Sequence, residues 1–205
     1  MLTNHKDIKA WLDTMNIEKY TINDTGTVTV DGSVDISRKY LTEIPVQFRI
    51  TYGDFHCSNN SLKSLNGSPR EVGGKFHCSN NSLESLEGSP QEVGGNYYCI
   101  NNSLKSLNGS PREVGGDFHC SNNSLTTLDG SPQEVGGNYY CNNNSLKSLE
   151  GSPREVGGDF HCWDNRLTTL EGSPHKVGGG FYCPRNKFKT SPNCGTIING
   201  RLIWE

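Results

Sequence analysis

The residues of this chain that could do chemistry gather in one recurring triplet, Phe-His-Cys, which sets His56 beside Cys57, His77 beside Cys78, His119 beside Cys120 and His161 beside Cys162. Imidazole and thiolate are the usual ligands of zinc. Neighbouring residues of a strand project to opposite sides, however, so the ring and thiol of each pair do not converge on one ion. Only His56 and His77 fall in successive repeats, which leaves two ligands at most from that column, and no metal is expected. Asp24-Thr25-Gly26 spells the triplet of aspartic proteases, whose chemistry needs two carboxylates brought together. Set before the alternating Thr27-Val-Thr-Val30, it reads instead as a turn. The Gly-Gly pairs precede no helix that would offer its N-terminus to a phosphate, and are read as letting the chain turn tightly into each strand. No nucleophile, base and orienting group converge elsewhere, so neither an enzyme nor a cofactor is expected.

The elements that must position these residues follow from a period. Cys57, Cys78, Cys99, Cys120, Cys141, Cys162 and Cys183 are each 21 residues apart. The unit around them reads Gly-Gly-x-(Phe/Tyr)-x-Cys-x-Asn-Asn-Ser-Leu-x-(Ser/Thr)-Leu-x-Gly-Ser-Pro-x-Glu-Val, and a period in this range signals a solenoid. With Gly73 as position 1, Phe76 is position 4, Cys78 position 6, Asn81 position 9 and Leu83 position 11. Alternation in a short strand turns positions 4 and 6 into the coil and positions 3, 5 and 7 out of it. Phe55, Phe76, Tyr97, Phe118, Tyr139, Phe160 and Phe181 then form one inner column and the cysteines a second, with Leu62, Leu65, Val72 and their equivalents as the other walls. Asn60, Asn81 and their successors should bond backbone groups where the chain leaves the strand, because a buried amide without partners is costly. Stacked cysteines with parallel Cβ vectors rarely reach the torsion of a disulfide. They are expected reduced and buried, with Cys194, outside the column, at the surface.

A degenerate earlier coil is visible at Val34-Asp-Ile36-Ser-Arg-Lys-Tyr-Leu41, with Lys39 at the asparagine position. Ile8, Trp11, Leu12, Met15 and Ile17 recur at helical spacing upstream. The expected organisation is an N-terminal cap of helix plus β over residues 1–33, a solenoid of about eight coils over 34–190 and a C-terminal cap over 191–205. Composition agrees: 32% hydrophobic residues with 24 Gly and 9 Pro suit many turns around a narrow core. A net charge of −3 advertises neither nucleic acid nor an anionic membrane. The first ten residues lack the apolar run of a signal peptide and no membrane span is present, so a monomeric, cytoplasmic protein without a membrane partner is the expectation.

The repeat resembles the short leucine-rich repeats of bacterial and bacteriophage proteins, in the form Leu-x-Gly-x-Pro-x-x-Val-Gly-Gly-x-Phe-x-Cys-x-Asn-Asn-x-Leu, which Leu65 to Phe188 follows. The resemblance covers residues 34–190. It implies a β-rich, curved leucine-rich-repeat solenoid with a parallel sheet on the concave face and loops or extended segments on the other. It also implies a role in interaction between a virus and its bacterial host, such as blocking or redirecting a host defence protein.

Because the copies are so alike, the positions where they differ carry information. Position 5 reads His56, His77, Tyr98, His119, Tyr140, His161, Tyr182, and position 7 reads Ser58, Ser79, Ile100, Ser121, Asn142, Trp163, Pro184. Position 8 changes from Asn to Asp164 and Arg185. Tyr, Trp and His offer flat, amphipathic area and are enriched at interface centres. The expected function is therefore non-enzymatic binding of a partner protein along the concave face, through His119, Tyr140, His161, Trp163, Asp164, Tyr182 and Arg185. The alternative is a nucleic-acid or polyanion binder using the same stripe and the basic end at Lys176, Arg185, Lys187 and Lys189, against which Asp54, Asp117 and Asp159 count.

Overall fold

A computed structural model describes residues 1–205. The chain forms a parallel β-solenoid of about eight turns with a single helix. Helix α1, His5–Thr14, is started by Asn4, whose side chain accepts from the Lys6 amide, and it buries Ile8 and Leu12. Strand β1, Tyr20–Ile22, pairs antiparallel with β2, Val28–Val30, and Asp24-Thr25-Gly26 lies in the turn between them. There Asn23 Oδ1 accepts from the amides of Thr25 and Thr27.

From β2 onward every pairing is parallel, and each coil contributes two strands. Strands β3, Val34–Asp35, and β5, Phe55–His56, begin a nine-stranded sheet that continues through Phe76–His77 and its equivalents to Leu202–Ile203. Strands β2 and β4, Phe48–Thr51, begin a second sheet, of ten strands with β1, that continues through Glu71–Val72 and its equivalents to Ile197–Ile198. The extended segments expected opposite the first sheet are thus a second hydrogen-bonded sheet. Its signal is hard to read because only two residues per coil, Glu and Val, carry it. The two strands of a coil meet at the Gly-Gly corner. The expected reason for that pair, a tight turn needing glycine's torsional freedom, is corrected: Gly94 and Gly115 do not adopt positive φ, but a Cβ on either would collide with the carbonyl oxygen of Gly73 or Gly94 in the preceding coil. The corner needs room. Positive φ is used at Gly109 (+91°) and its equivalents in the Gly-Ser-Pro turn.

The inner columns are where the register places them. Phe76, Cys78, Leu83 and Leu86 are fully buried, as are their equivalents in most coils, and Val72 and its successors are nearly so. The aromatic column stacks from Phe55 to Phe160, with Tyr139 and Phe160 5.2 Å apart and 2° from coplanar, and Phe181 tilts by 32° against Phe160. The asparagine column joins successive coils: Asn81 Nδ2 donates to the carbonyls of Cys57 and Cys78, both at 3.1 Å, and its Oδ1 accepts from the Leu62 amide at 3.0 Å. All eight cysteines are free; seven are buried and Cys194 is partly exposed. Burial pushes the Cys78 and Cys120 thiols up to about 12, which leaves them protonated and inert. The residues from 191 onward continue the repeat: Leu202 stands on Phe181 and Ile203 on Tyr182, with Ile198 on Val177.

Candidate functional site

The outward side of the Phe-His sheet is built by positions 3 and 5. At position 3 the Asp and Asn side chains brace the next coil. Asp117 Oδ1 accepts from the Asn138 amide, Asn138 Oδ1 from the Asp159 amide and Asp159 Oδ1 from the Gly180 amide, each at 2.7 Å. The second carboxylate oxygen of each Asp faces the histidine two residues on, with His119 Nε2 3.9 Å from Asp117 and His161 Nε2 3.8 Å from Asp159. Sequence reasoning weighed these aspartates only as negative charge; their role as an inter-coil brace could have been suspected from the restriction of position 3 largely to Asp and Asn.

At position 5 the half-buried rings form one ladder. Its N-terminal end is irregular, with His56 and His77 at 72°. Toward the C-terminal end it becomes a true stack: His119–Tyr140 at 4.1 Å and 12°, Tyr140–His161 at 4.5 Å and 5°, His161–Tyr182 at 4.6 Å and 7°. Rings at these separations cover one another's faces and turn their edges outward. Burial holds the imidazoles of His119 and His161 below their ordinary value, while the carboxylates of Asp117 and Asp159 pull the other way.

Position 7 corrects the register. It was expected to face solvent, yet Ser58, Ser79, Ser121 and Asn142 are buried, at 4%, 3%, 6% and 6% exposure. The cause lies one residue on, where position 8 is left-handed in every coil, from Asn59 at +55° to Asp164 at +50° and Arg185 at +56°. That turn folds the chain over the side chain before it. Ser79 Oγ accordingly accepts from the Ile100 amide, and Ser121 Oγ donates to Asn142 Oδ1. Trp163, too large for this niche, is half-buried, between Asn142 and Pro184 in its column. Arg185 Nη1 lies 3.3 Å from Asp164 Oδ2, an exposed pair. Of the seven residues expected at the site, His119, Tyr140, His161 and Tyr182 form the stack, and Trp163, Asp164 and Arg185 follow it in the coils of the same end.

A feature sequence reasoning missed lies on the other sheet. Glu71, Glu92, Glu113, Glu134 and Glu155 stand in register on successive strands and line a groove of about 1120 Å³ that begins at Ile50 and Tyr52. No three His, Cys, Asp or Glu side chains are grouped to hold a metal ion, and no helix is long and apolar enough to cross a membrane.

The fold and this outer face define the class: a parallel β-solenoid with a stacked His/Tyr ladder on one sheet and a glutamate row on the other. No family model matches the chain, and no curated protein matches it either.

Proposed function

We propose that this chain is a non-enzymatic, leucine-rich-repeat-type binding protein that holds a partner protein against the His/Tyr face near its C-terminal end. Helix α1 and β1 serve as the cap that covers the first coil, since a solenoid with a bare core end is poorly soluble. The observation that carries the reading is a departure from uniformity: in coils that are otherwise near copies, Trp163, Asp164 and Arg185 replace small or amide residues directly after the most ordered part of the ring stack. A repeat needs no such change in order to fold. Nine strands at 4.7–4.9 Å give a sheet about 38 Å long, enough for an interface of standard size. A protein partner is favoured over a single-stranded nucleic acid because the stacked rings cover each other and leave few faces for bases. The likeness of the repeat to bacteriophage and bacterial forms makes a host protein, such as a defence protein in the host cytoplasm, the partner to seek.

The test is Trp163→Ser, which installs the residue that four other coils use at that position, as Ser37, Ser58, Ser79 and Ser121. Affinity capture from bacterial host extract with the wild-type chain should yield a partner, identified by mass spectrometry and re-measured with purified proteins by calorimetry. Loss of a central aromatic anchor should weaken its binding at least tenfold, about 1.4 kcal/mol or more, with an unchanged circular dichroism spectrum. A folded Trp163→Ser that binds normally would move the interface elsewhere.

A further inference from the structure

Positions 8 to 12 leave the Phe-His sheet along an exposed strip that is nearly neutral through the middle coils, between Arg38 and Lys39 in the first coil and a larger basic group at the other end. Across the four coils from Asn59 to Thr126 the strip carries Lys63 and Lys105 against Glu84. In the last two coils it carries Arg166, Arg185, Lys187 and Lys189 against Asp164 alone, with Lys147 on the coil before. These side chains belong to one patch. The Arg166 amide donates to the Leu146 carbonyl at 2.9 Å and the Lys187 amide to the Leu167 carbonyl at 2.8 Å, which seats each position 10 on the coil before it. All five cations are exposed. Arg185 is held only by its contact with Asp164, and that pair is too exposed to neutralise it firmly. The fold does not require the charge, because Ser145 and Thr168 serve at the same positions in neighbouring coils.

We infer that the partner presents a short acidic peptide segment, which docks on Arg166, Arg185, Lys187 and Lys189 beside Trp163; the inference rests on the binding reading given above. Three coils at about 4.8 Å spacing and the four residue steps from position 8 to 12 make a patch of roughly 10 by 13 Å, which matches three or four residues of extended peptide. The two arginines offer planar forks suited to carboxylates, and Trp163 offers apolar area for a neighbouring side chain. A nucleic acid would need a longer track of cations, whereas beyond this patch the ladder is lined by Asp117 and Asp159.

The test uses fluorescein-labelled hexaglutamate and a labelled oligouridylate of similar length, titrated with the full chain and read by fluorescence anisotropy at low and high salt. Hexaglutamate should bind, and binding should weaken with salt. The triple variant Arg166→Ser, Lys187→Ser, Lys189→Thr copies residues of other coils and should keep its melting temperature while losing at least tenfold in affinity. Lys63→Thr with Lys105→Thr, two charges removed elsewhere on the strip, should bind as wild type. Absence of hexaglutamate binding, equal binding by the triple variant, or tighter binding of the oligouridylate overturns the inference. A captured partner that is lost by Trp163→Ser but retained by the triple variant would sink the acidic segment and leave the binding reading standing, whereas retention by Trp163→Ser would sink that reading itself.

Discussion

At the scale of single residues, small differences between coils have definite chemical reasons. The aromatic column has tyrosine in place of phenylalanine at Tyr97 and Tyr139, and both are fully buried. Each hydroxyl meets the serine eight residues before it, Tyr97 with Ser89 at 2.6 Å and Tyr139 with Ser131 at 2.9 Å. The corresponding partner of Ser68 is Phe76, and the Ser68 hydroxyl is buried without a hydrogen bond. Phe76→Tyr should supply the missing partner and stabilise the chain by about 1 kcal/mol, a rise of roughly 2–4 °C in Tm for a protein of this size; a fall measured by calorimetry would show that this coil lacks room for the oxygen. The histidines give a second prediction. Their burial favours the neutral ring in the folded state, so the stability they contribute is complete above the ordinary value of 6.5 and is lost as pH falls below it. Tm should therefore decline between about pH 8 and pH 5, and the double variant His119→Tyr, His161→Tyr, which uses the residue already present at Tyr98 and Tyr140, should show a shallower decline.

At the scale of elements, the strand carrying the ladder was legible because an aromatic residue at position 4 and a cysteine at position 6 recur with polar or exposed-type residues between them, and the helix because Ile8 and Leu12 are spaced one turn apart. The second sheet was not. From Glu71–Val72 onward its strands are two residues long, a length at which period 2 has no meaning, and the glycines beside them read as a means of turning tightly when they mark contact between backbones. The turn after the first strand was also misread, because an asparagine at position 8 can be either exposed and extended or left-handed, and only the second choice buries position 7. The glutamate row follows from the missed sheet. Like charges directly opposite one another on neighbouring strands are destabilising, and Arg112 and Arg154 lie 3.8 and 3.9 Å from Glu113 and Glu155 at exposed sites where pairing contributes little. Glu113→Gln should then raise stability by about 0.5 kcal/mol. Added salt should raise the Tm of the wild type more than that of the variant, and equal salt responses would mean the row carries no net repulsion.

At the scale of the whole molecule, the interval between cysteines was enough to predict a stack of small coils, each depending on its neighbours. The start of the ladder at Val34 was also legible, since Val34 and Ile36 keep the inward spacing. What the end of the chain does was harder to see: Leu202 and Trp204 replace Phe and Cys, so the columns continue with residues the consensus does not contain. The candidate site was legible as a list of divergent residues but not as an arrangement. That the rings stack edge outward, and that Trp163 sits half-buried, depends on strand spacing and on backbone torsions that no single coil specifies.

The direction of the inter-coil bonds has a mechanical consequence. Phe118 bonds to Asn138, Gly136 to Val114 and Asn123 to Cys99, and each of these links runs from one coil to the next. A force applied between the termini therefore loads the bonds one rung at a time, as in opening a zipper, and no layer of bonds shares the load in shear. Each released coil frees 21 residues, up to about 70–75 Å of extended chain. Pulling single molecules by their ends should give a staircase of weak, evenly sized extensions in that range or its multiples. One abrupt lengthening of the entire chain would show that the coils yield together.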